Sequence, residues 1–284
     1  EHREASVAYI TVIIVGLFFS IIYNVLAANL RAIGDAYTPL IFLIISAVLN
    51  VVLDILCVKY MDMGVRGAAV ATVVSQAVSA VLCFGYTWKK YAFLHFNIKD
   101  FVPKKEFLKP MLEGGLSMGL MNSLVSFGTL SLQTAINTLG TNTIVAHAAT
   151  RKLTNLYMLP FSVLGTTMAT YSGQNYGAGR YDRIRAGLKV SLGCSYIWCV
   201  IVLIASYTVC PYLIVAITDT GISEVIDTAF LYQRFDTCFY LLVPTITILR
   251  NSLQGMGDHI TPIFSSGLEL VGKVLIAMLL TPVI

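Results

Sequence analysis

Two stretches of the sequence are near copies of each other: LRAIGDAYTP at residues 30 to 39 and LQGMGDHITP at residues 253 to 262. Five of the ten positions are identical, at an offset of 223 residues. Each copy lies where one apolar block ends and the next begins. Each also ends on a proline, which the first turn of a helix tolerates because an N–H there would have no partner. The repeat therefore predicts two helix-to-helix turns of the same design.

The residues around these turns are too apolar for a water-soluble domain. Hydrophobic residues make up 57% of the chain and charged residues 12%, against roughly a quarter charged in soluble proteins. Because the alternating pattern of a membrane β-barrel is absent, helices are the way to satisfy the backbone in lipid. We predict an all-α membrane protein with eight visible transmembrane helices, each long enough for a hydrocarbon core of ~30 Å. They lie at roughly 7–30, 38–60, 65–88, 110–138, 143–176, 186–217, 225–253 and 260–284.

The basic residues report the orientation of these spans. Twelve Lys and Arg residues fall in the loops after the first, third, fifth and seventh spans, and at most six fall on the other side. Loops rich in basic residues stay in the cytoplasm, so the four loops are predicted to be cytoplasmic. The loop between spans six and seven, with Asp219, Glu224 and Asp227 and no base, is then outside. This placement of charge gives no reason to expect a nucleic-acid partner.

The repeat also predicts the architecture. The two copies are six spans apart and enter the membrane in the same sense, which is typical of a parallel repeat about an axis along the membrane normal. A six-span half implies a twelve-helix whole of two lobes (6+6), with about three spans before residue 1 and one after residue 284. On this interpretation, residues 1–88 are the last three helices of the amino-terminal lobe. Residues 89–109 are a cytoplasmic linker, and residues 110–284 are the first five helices of the carboxyl-terminal lobe.

Three motifs carry a resemblance to a known family: RAIGDAYTP (31–39), GVRGAAVATVVSQ (64–76) and GQNYGAGRYDRIR (173–185). With the repeat, they make the chain similar to multidrug and toxic compound extrusion (MATE) transporters. The resemblance implies multidrug efflux of amphipathic or cationic organic compounds by antiport with H⁺ or Na⁺, as the two lobes alternate access. It also implies a multi-pass protein of the plasma membrane, the inner membrane in bacteria. The expected partners are small organic molecules and the lipid bilayer; we expect a monomer without a cofactor.

Asp54 is the most informative charge, because an ionisable residue inside a span is costly and marks a functional candidate. Asn50 lies four residues earlier on the same helix face. The resemblance implies a cation-coupling site of Tyr9, Asn50, Asp54 and Thr72, with Na⁺ or H⁺ at Asn50 and Asp54. The family site includes a further Asp in the first helix, upstream of this sequence. The alternative is that Asp54 only hydrogen-bonds a neighbouring helix.

Three further charged residues inside the predicted spans are functional candidates. Glu269 and Lys273 are spaced i, i+4 and can form an intramembrane ion pair, either as a structural lock or as part of a cavity lining. Asp236, near the outer end of span seven, is a weaker cavity candidate because it does not match the deeper acid of the family. Residues 117–131 of span four contain no acid, so the resemblance gives no second cation site there.

Other functions remain open with less support. A lipid-linked oligosaccharide flippase of similar two-lobe plan would need several basic residues in its cavity, and a non-transporting eight-helix membrane protein would not explain the six-span repeat. An enzyme is not expected, since the sequence has no H-E-x-x-H motif and no His-rich cluster. The cysteines show no Cys-x-x-Cys spacing and are interpreted as small apolar residues: Cys57, Cys83, Cys194, Cys199, Cys210 and Cys238.

Overall fold

The chain forms two compact helical units. The computed structural model describes residues 2–95, 104–218 and 222–280, and the units are Glu1–Val102 and Pro103–Ile284. The boundary falls within the predicted linker at 89–109, of which residues 96–103 lie outside the described residues, as does Asp219 of the predicted outer loop. The assignment of the two units to the lobes of a transporter stays a prediction.

The amino-terminal unit is built around one central helix, α3, against which α1 and α2 both pack. Small residues fill the buried face of α3, including Gly67, Ala71 and Ser75, and small residues allow helices to approach closely in a membrane protein. Ser46 on α2 donates a hydrogen bond to the Ser75 carbonyl at 2.7 Å. The elements are α1 (His2–Ala32), α2 (Tyr37–Asp54), a π-helical segment (Ile55–Tyr60), α3 (Gly64–Lys90) and a 3₁₀ turn (Ala92–Leu94).

The carboxyl-terminal unit is organised around α5, which packs against α6, α8 and α9, while α10 packs against α4. Its apolar core includes Leu153, Tyr157 and Phe161 of α5 and Tyr240 of the α8–α9 connection. The helices are α4 (Lys105–Ile136), α5 (Thr141–Gly177), α6 (Tyr181–Thr208), α7 (Cys210–Thr218), α8 (Ser223–Cys238), α9 (Leu242–Gly255) and α10 (Ile260–Leu280).

The backbones of α5 and α9 touch where they cross. A Cβ atom added to Gly255 would lie 2.0 Å from the carbonyl oxygen of Ala169, and one added to Gly173 would lie 2.8 Å from the Gly255 oxygen. Only glycine fits at these two positions without moving a backbone. The crossing is thus of the small-residue type that brings membrane helices into close contact.

The all-helical class predicted from the sequence is confirmed: in the described part of the chain, helices lie in each of the eight predicted spans and there is no strand. Two predicted spans are each interrupted. The sixth divides into α6 and α7 at Val209, and the seventh into α8 and α9 at residues 239–241, shortly before Pro244. In contrast, α5 continues through Pro160 as one helix of 37 residues.

Length and hydropathy single out some of these helices as membrane spans. Five described segments are long and apolar enough to cross a membrane: Tyr9–Ala32, Tyr37–Tyr60, Gly64–Lys90, Tyr181–Thr208 and Ile260–Met278. They correspond to predicted spans one, two, three, six and eight. The full count of eight crossings therefore stays a prediction.

The two repeated turns have the same backbone geometry. Gly34 and Gly257 both adopt the left-handed region, with φ of +95° and +88°, which a side chain would disfavour. The next amide in each copy closes the turn: Asp35 N–H bonds to the Leu30 carbonyl at 2.9 Å, and Asp258 N–H to the Leu253 carbonyl at 3.0 Å. The identical residues of the repeat are therefore those that shape the turn.

Candidate functional site

Asp54 is the last residue of α2 and lies inside the amino-terminal unit. Its Oδ1 atom is buried and has no hydrogen-bond partner among the described residues. Buried polar atoms almost always have a partner, and a carboxylate oxygen without one is costly. Asp54 is therefore the residue of this unit most in need of a cation or a proton.

Asn50 and Thr72 bring further oxygen atoms to the same part of the unit. The Asn50 amide nitrogen lies 3.4 Å from the Thr72 hydroxyl oxygen, a long hydrogen bond. The Thr72 hydroxyl donates in turn to the Ala68 carbonyl at 3.0 Å. This assignment leaves the Asn50 amide oxygen as an acceptor one helical turn from Asp54. Carboxylate, amide and hydroxyl oxygens are ligands that hard cations accept, so these residues fit Na⁺ as well as a proton.

The helix geometry changes directly after Asp54. The chain passes from α-helix to a π-helical segment at Ile55, and π-turns are rare and frequent at functional sites. Helix α3 lies close to this segment: a Cβ atom on Gly67 would lie 3.0 Å from the Cys57 Cβ and 3.1 Å from its carbonyl carbon. The close approach holds α3, with Thr72, against the part of α2 that carries Asp54.

Tyr9 is the fourth residue of the predicted cation site, and it lies on α1. Its side chain is 37% exposed, and within the described residues its hydroxyl group makes no hydrogen bond. The structure therefore brings Asn50 and Thr72 together near Asp54, but it gives Tyr9 no polar contact with them. A role for Tyr9 stays a prediction.

In the carboxyl-terminal unit, Asp236 belongs to a buried polar network. Its Oδ2 atom accepts hydrogen bonds from the Thr154 hydroxyl on α5 and from the Tyr240 hydroxyl, both at 3.0 Å. Gln233 is fully buried, and its amide nitrogen donates to the Tyr240 oxygen at 3.3 Å, while its Oε1 atom has no partner in the described residues. The carboxylate of Asp236 is thus held by neutral donors, and no basic side chain pairs with it there.

Glu269 is held between two bases. Its carboxylate contacts Lys273 Nζ at 2.7 Å and Arg250 Nη1 at 2.9 Å, and Arg250 Nε donates to the Ser265 hydroxyl at 3.0 Å. Arg250 comes from α9, whereas the other three residues belong to α10. The three charged side chains form a partly buried group with a net charge of +1.

Four members of these groups were not predicted from the sequence: Thr154, Gln233, Tyr240 and Arg250. Gln233, Asp236 and Tyr240 do carry a detectable signal, because residues at i, i+3 and i+7 share one helix face. Thr154 and Arg250 come from other helices, and nothing in their local sequence indicates their partners. In the described residues, no group of three or more His, Cys, Asp or Glu side chains could hold a metal ion.

A family model described as MatE matches residues 1–56 and 118–279. The chain is 31% identical over 176 residues to the probable multidrug resistance protein YpnP of Bacillus subtilis. The aligned region covers 62% of this chain and 39% of that protein. It is 25% identical to the probable multidrug resistance protein NorM of Thermotoga maritima, over 92% of this chain and 57% of the relative. Staphylococcus aureus multidrug export protein MepA is 26% identical over 76% of this chain and 48% of the relative.

Solved structures give the same fold. An outward-facing multidrug resistance MATE family transporter of the MOP superfamily superposes with a TM-score of 0.88 at 22% identity, over 97% of this chain and 62% of that one. A crystal structure of MATE in complex with MaL6 also superposes with a TM-score of 0.88, at 21% identity, over 98% of this chain and 64% of that one. The chain spans 39% to 57% of the length of the curated relatives named above. With the family model matching most of its residues, this chain belongs to the MATE family.

Proposed function

We propose that the full-length protein exports amphipathic or cationic organic compounds across the plasma membrane in exchange for H⁺ or Na⁺. The observation that carries this proposal is the buried Oδ1 atom of Asp54, which has no partner among the described residues and lies one turn from Asn50. The substrate class rests on the relatives, which are named as multidrug resistance or export proteins. None of the relatives reported above is named as a flippase, so we do not propose that alternative.

The cation would act through the charge of Asp54. When the site is empty, the carboxylate is an uncompensated charge among apolar helices, and this state is costly. A bound cation removes that cost, so the protein is stabilised in whichever conformation closes around the occupied site. Coupling then requires that cation binding and substrate binding favour different states, so that the substrate is released as the cation binds. The two lobes would supply these states by rocking about the site.

The two candidate ions place different demands on the neighbouring residues. A proton needs only a carboxylate oxygen of Asp54. A sodium ion needs several oxygen ligands, which the Asn50 amide and the Thr72 hydroxyl would provide together with Asp54. Removing either neutral ligand should therefore weaken Na⁺ coupling while leaving much of a proton-coupled rate.

Dye efflux from proteoliposomes tests the proposal. Proteoliposomes that contain the full-length protein are loaded with ethidium, and an H⁺ or Na⁺ gradient is imposed across their membrane. The rate of ethidium efflux is normalised to the amount of folded protein. We expect Asp54→Asn, which keeps the size of the side chain, to abolish gradient-driven efflux. Asp62→Asn is the matched control, because Asp62 is an exposed loop residue with φ of +50°, a conformation that Asn adopts readily.

Asn50→Ala and Thr72→Ala then distinguish the ions. With Na⁺ coupling, the Na⁺ concentration for half-maximal efflux should rise roughly tenfold, the effect of losing ~1.4 kcal/mol of binding free energy. With H⁺ coupling, the rate of efflux driven by an H⁺ gradient should change little. Efflux by Asp54→Asn at the wild-type rate would contradict the proposal. So would a variant that folds poorly but whose folded fraction transports at the normal rate, because Asp54 would then have only a structural role.

A further inference from the structure

An apolar cleft lies between α6 and the break that separates α8 from α9. Its volume is about 660 Å³, within the range of small-ligand sites, ~300–1,000 Å³. The cleft opens where α8 ends at Cys238 and the chain turns at residues 239–241. The Cys199 thiol donates to the Tyr240 carbonyl at 3.3 Å and fixes the turn against α6. The lining residues that matter below are Val200, Leu203, Ile204 and Tyr207 of α6 and Leu241 of the turn.

The walls of the cleft face outward from the carboxyl-terminal unit. Val200, Ile204 and Leu241 each expose more than half of their surface. Water gains few hydrogen bonds from such walls, and an empty cleft of this size would forfeit the dispersion contacts of its lining. A hydrocarbon chain is therefore the occupant that fits the walls, and lipid acyl chains surround the protein in a bilayer.

A positive charge lies at one end of the cleft. The guanidinium carbon of Arg234 is 4.0 Å from the centre of the Phe230 ring and 4.7 Å from that of Tyr207, and Tyr207 is also a wall of the cleft. In the described part of the chain Arg234 has no acidic partner, and its buried Nε atom has no hydrogen-bond acceptor. The two aromatic rings hold the cation in place, but they leave its N–H donors without an anion.

The depth of this charge matches that of lipid headgroups. Tyr207 stands ~39 Å from the first residue of α6 at 1.5 Å per residue. A bilayer has ~30 Å of hydrocarbon and ~40–45 Å in all with its headgroup regions. The structure gives the apolar span of α6 as Tyr181–Thr208 rather than the predicted 186–217. Tyr207 and the guanidinium of Arg234 that packs on it therefore lie near one interface, which the basic residues predict to be the outer one, and the rest of the cleft extends from there into the hydrocarbon. Tyrosine is typical of this depth.

We infer that this cleft binds one molecule of an anionic phospholipid, with an acyl chain between α6 and the α8–α9 break and the phosphate on Arg234. A guanidinium group can offer two parallel N–H donors to a phosphate, so the headgroup supplies the acceptors that Arg234 lacks. The acyl chain fills the apolar walls. Both halves of the ligand are needed, because a soluble anion would leave the walls bare and a zwitterionic lipid such as phosphatidylcholine would bring its choline cation, as well as its phosphate, next to the guanidinium.

Photo-crosslinking tests this inference on the full-length protein in nanodiscs of phosphatidylcholine. The probe is phosphatidylglycerol with a diazirine in its acyl chain, and mass spectrometry maps the labelled peptides. We expect labelling within residues 199–208 and 237–241. Unlabelled phosphatidylglycerol, exchanged for part of the phosphatidylcholine, should compete roughly tenfold better than the lipid it replaces, because it carries no choline cation to repel the guanidinium; the factor corresponds to ~1.4 kcal/mol.

Variants separate the two halves of the site. Arg234→Gln should remove the preference for phosphatidylglycerol, and Leu203→Trp, which fills the cleft, should reduce labelling by either lipid. Arg183→Gln is the matched control, because Arg183 is an exposed arginine in the first turn of α6, and its labelling should equal that of the wild type.

Three results would overturn the inference. Equal competition by the two lipids on the wild-type protein would rule out headgroup recognition, and this arm does not depend on any variant folding. Absence of labelling in the two peptides would rule out the cleft. Displacement of the probe by glycerol phosphate or by ethidium as readily as by phosphatidylglycerol would mean that the cleft takes soluble ligands.

Discussion

Asp35 and Asp258 make the same two hydrogen bonds, each to the threonine three residues further along the chain. Asp35 accepts from the Thr38 N–H at 3.1 Å and the Thr38 hydroxyl at 3.0 Å. Asp258 accepts from the Thr261 N–H at 3.1 Å and the Thr261 hydroxyl at 2.7 Å. Each carboxylate thus satisfies an amide at the start of the next helix, as a capping residue does. The repeat in the sequence is a repeat of this capping contact.

The surroundings of the two carboxylates differ. Asp35 also accepts hydrogen bonds from the Tyr91 hydroxyl at 2.9 Å and the Tyr86 hydroxyl at 3.2 Å, and Lys90 Nζ lies 3.6 Å away. Burial raises the pKa of Asp35, but the hydrogen bonds from Thr38, Tyr91 and Tyr86 outweigh it and lower the pKa to about 2. The pKa of Asp258 is also lowered, mainly by its hydrogen bonds to Thr261.

The first prediction concerns Asp35 and pH. Asp35→Asn should lower the free energy of unfolding by roughly 1 kcal/mol at pH 7, because charge-assisted hydrogen bonds are lost, and Asp258→Asn should have the smaller effect. A carboxylate with a depressed pKa contributes stability above its unfolded pKa of about 3.9 and loses it as the pH falls through the folded value. The difference between wild type and Asp35→Asn should therefore shrink from about pH 4 down to about pH 2. Thermal unfolding in detergent at several pH values measures it; a difference that does not vary with pH would contradict the role of the charge.

The second prediction concerns Glu269, which pairs with both Arg250 and Lys273. Glu269→Gln leaves the two bases without an acidic partner. We expect a loss of roughly 2 kcal/mol, below the ~3–5 kcal/mol of a fully buried pair because the Glu269 and Lys273 side chains are 31% and 29% exposed. The double variant Glu269→Gln/Lys273→Gln should recover part of the loss.

Thermal unfolding and transport together separate the two interpretations of this group. A structural lock predicts lower stability, whereas a cavity lining predicts altered efflux with unchanged stability. The control is Glu113→Gln, which breaks an exposed i, i+4 pair with Lys109 at 3.8 Å and should change neither quantity.

The third prediction tests the crossing of α5 and α9. In Gly255→Ala the new methyl group would lie 2.0 Å from the Ala169 oxygen, so the helices must separate. Overpacking of this kind costs ~1–3 kcal/mol, and the thermal unfolding temperature should fall. Gly267→Ala is the matched control on α10, where a Cβ atom would meet nothing within 4 Å, and alanine should leave the helix unchanged or stabilise it by up to ~1 kcal/mol. Equal unfolding temperatures for the two variants would show that the close approach does not limit stability.

The fourth prediction tests the orientation in the membrane. In a background that replaces the exposed thiols of Cys194 and Cys238 with serine, a cysteine at Ser223 should react with a membrane-impermeant maleimide in intact cells. A cysteine at Arg183 should react only after the cells are opened. The opposite pattern, or equal reaction at both positions, would contradict the assignment that the basic loops give.

The sequence predicted the positions of the helices because an apolar segment in a membrane must satisfy its backbone hydrogen bonds internally, which a helix does. It also placed Asn50 and Asp54 on one helix face, since a helical period fixes which residues share a face. The breaks do have a local signal, because a proline inside an apolar block removes an N–H from the helix and predicts a bend there. The chain divides at residues 239–241 before Pro244 and at Val209 before Pro211. The same signal at Pro160 does not divide α5, so proline alone does not determine where a helix ends.

The partners of the buried charges also could not be predicted in full from the sequence. Glu269 and Lys273 are neighbours along α10, so their pairing has a local signal. Arg250 reaches Glu269 from α9, and Thr154 reaches Asp236 from α5. These contacts depend on how helices are arranged in space, and a single sequence carries no periodicity that would predict them.

The π-helical segment from Ile55 to Tyr60 has a consequence for how related chains differ in length. A π-turn holds about one residue more than an α-turn, so deleting one residue there would restore a regular helix and keep Asp54 facing α3. Deleting one residue earlier in α2 would instead turn Asp54 by ~100° about the helix axis. One-residue gaps between this helix and those of its relatives are therefore expected at 55–60, the stretch that can change in length without rotating Asp54.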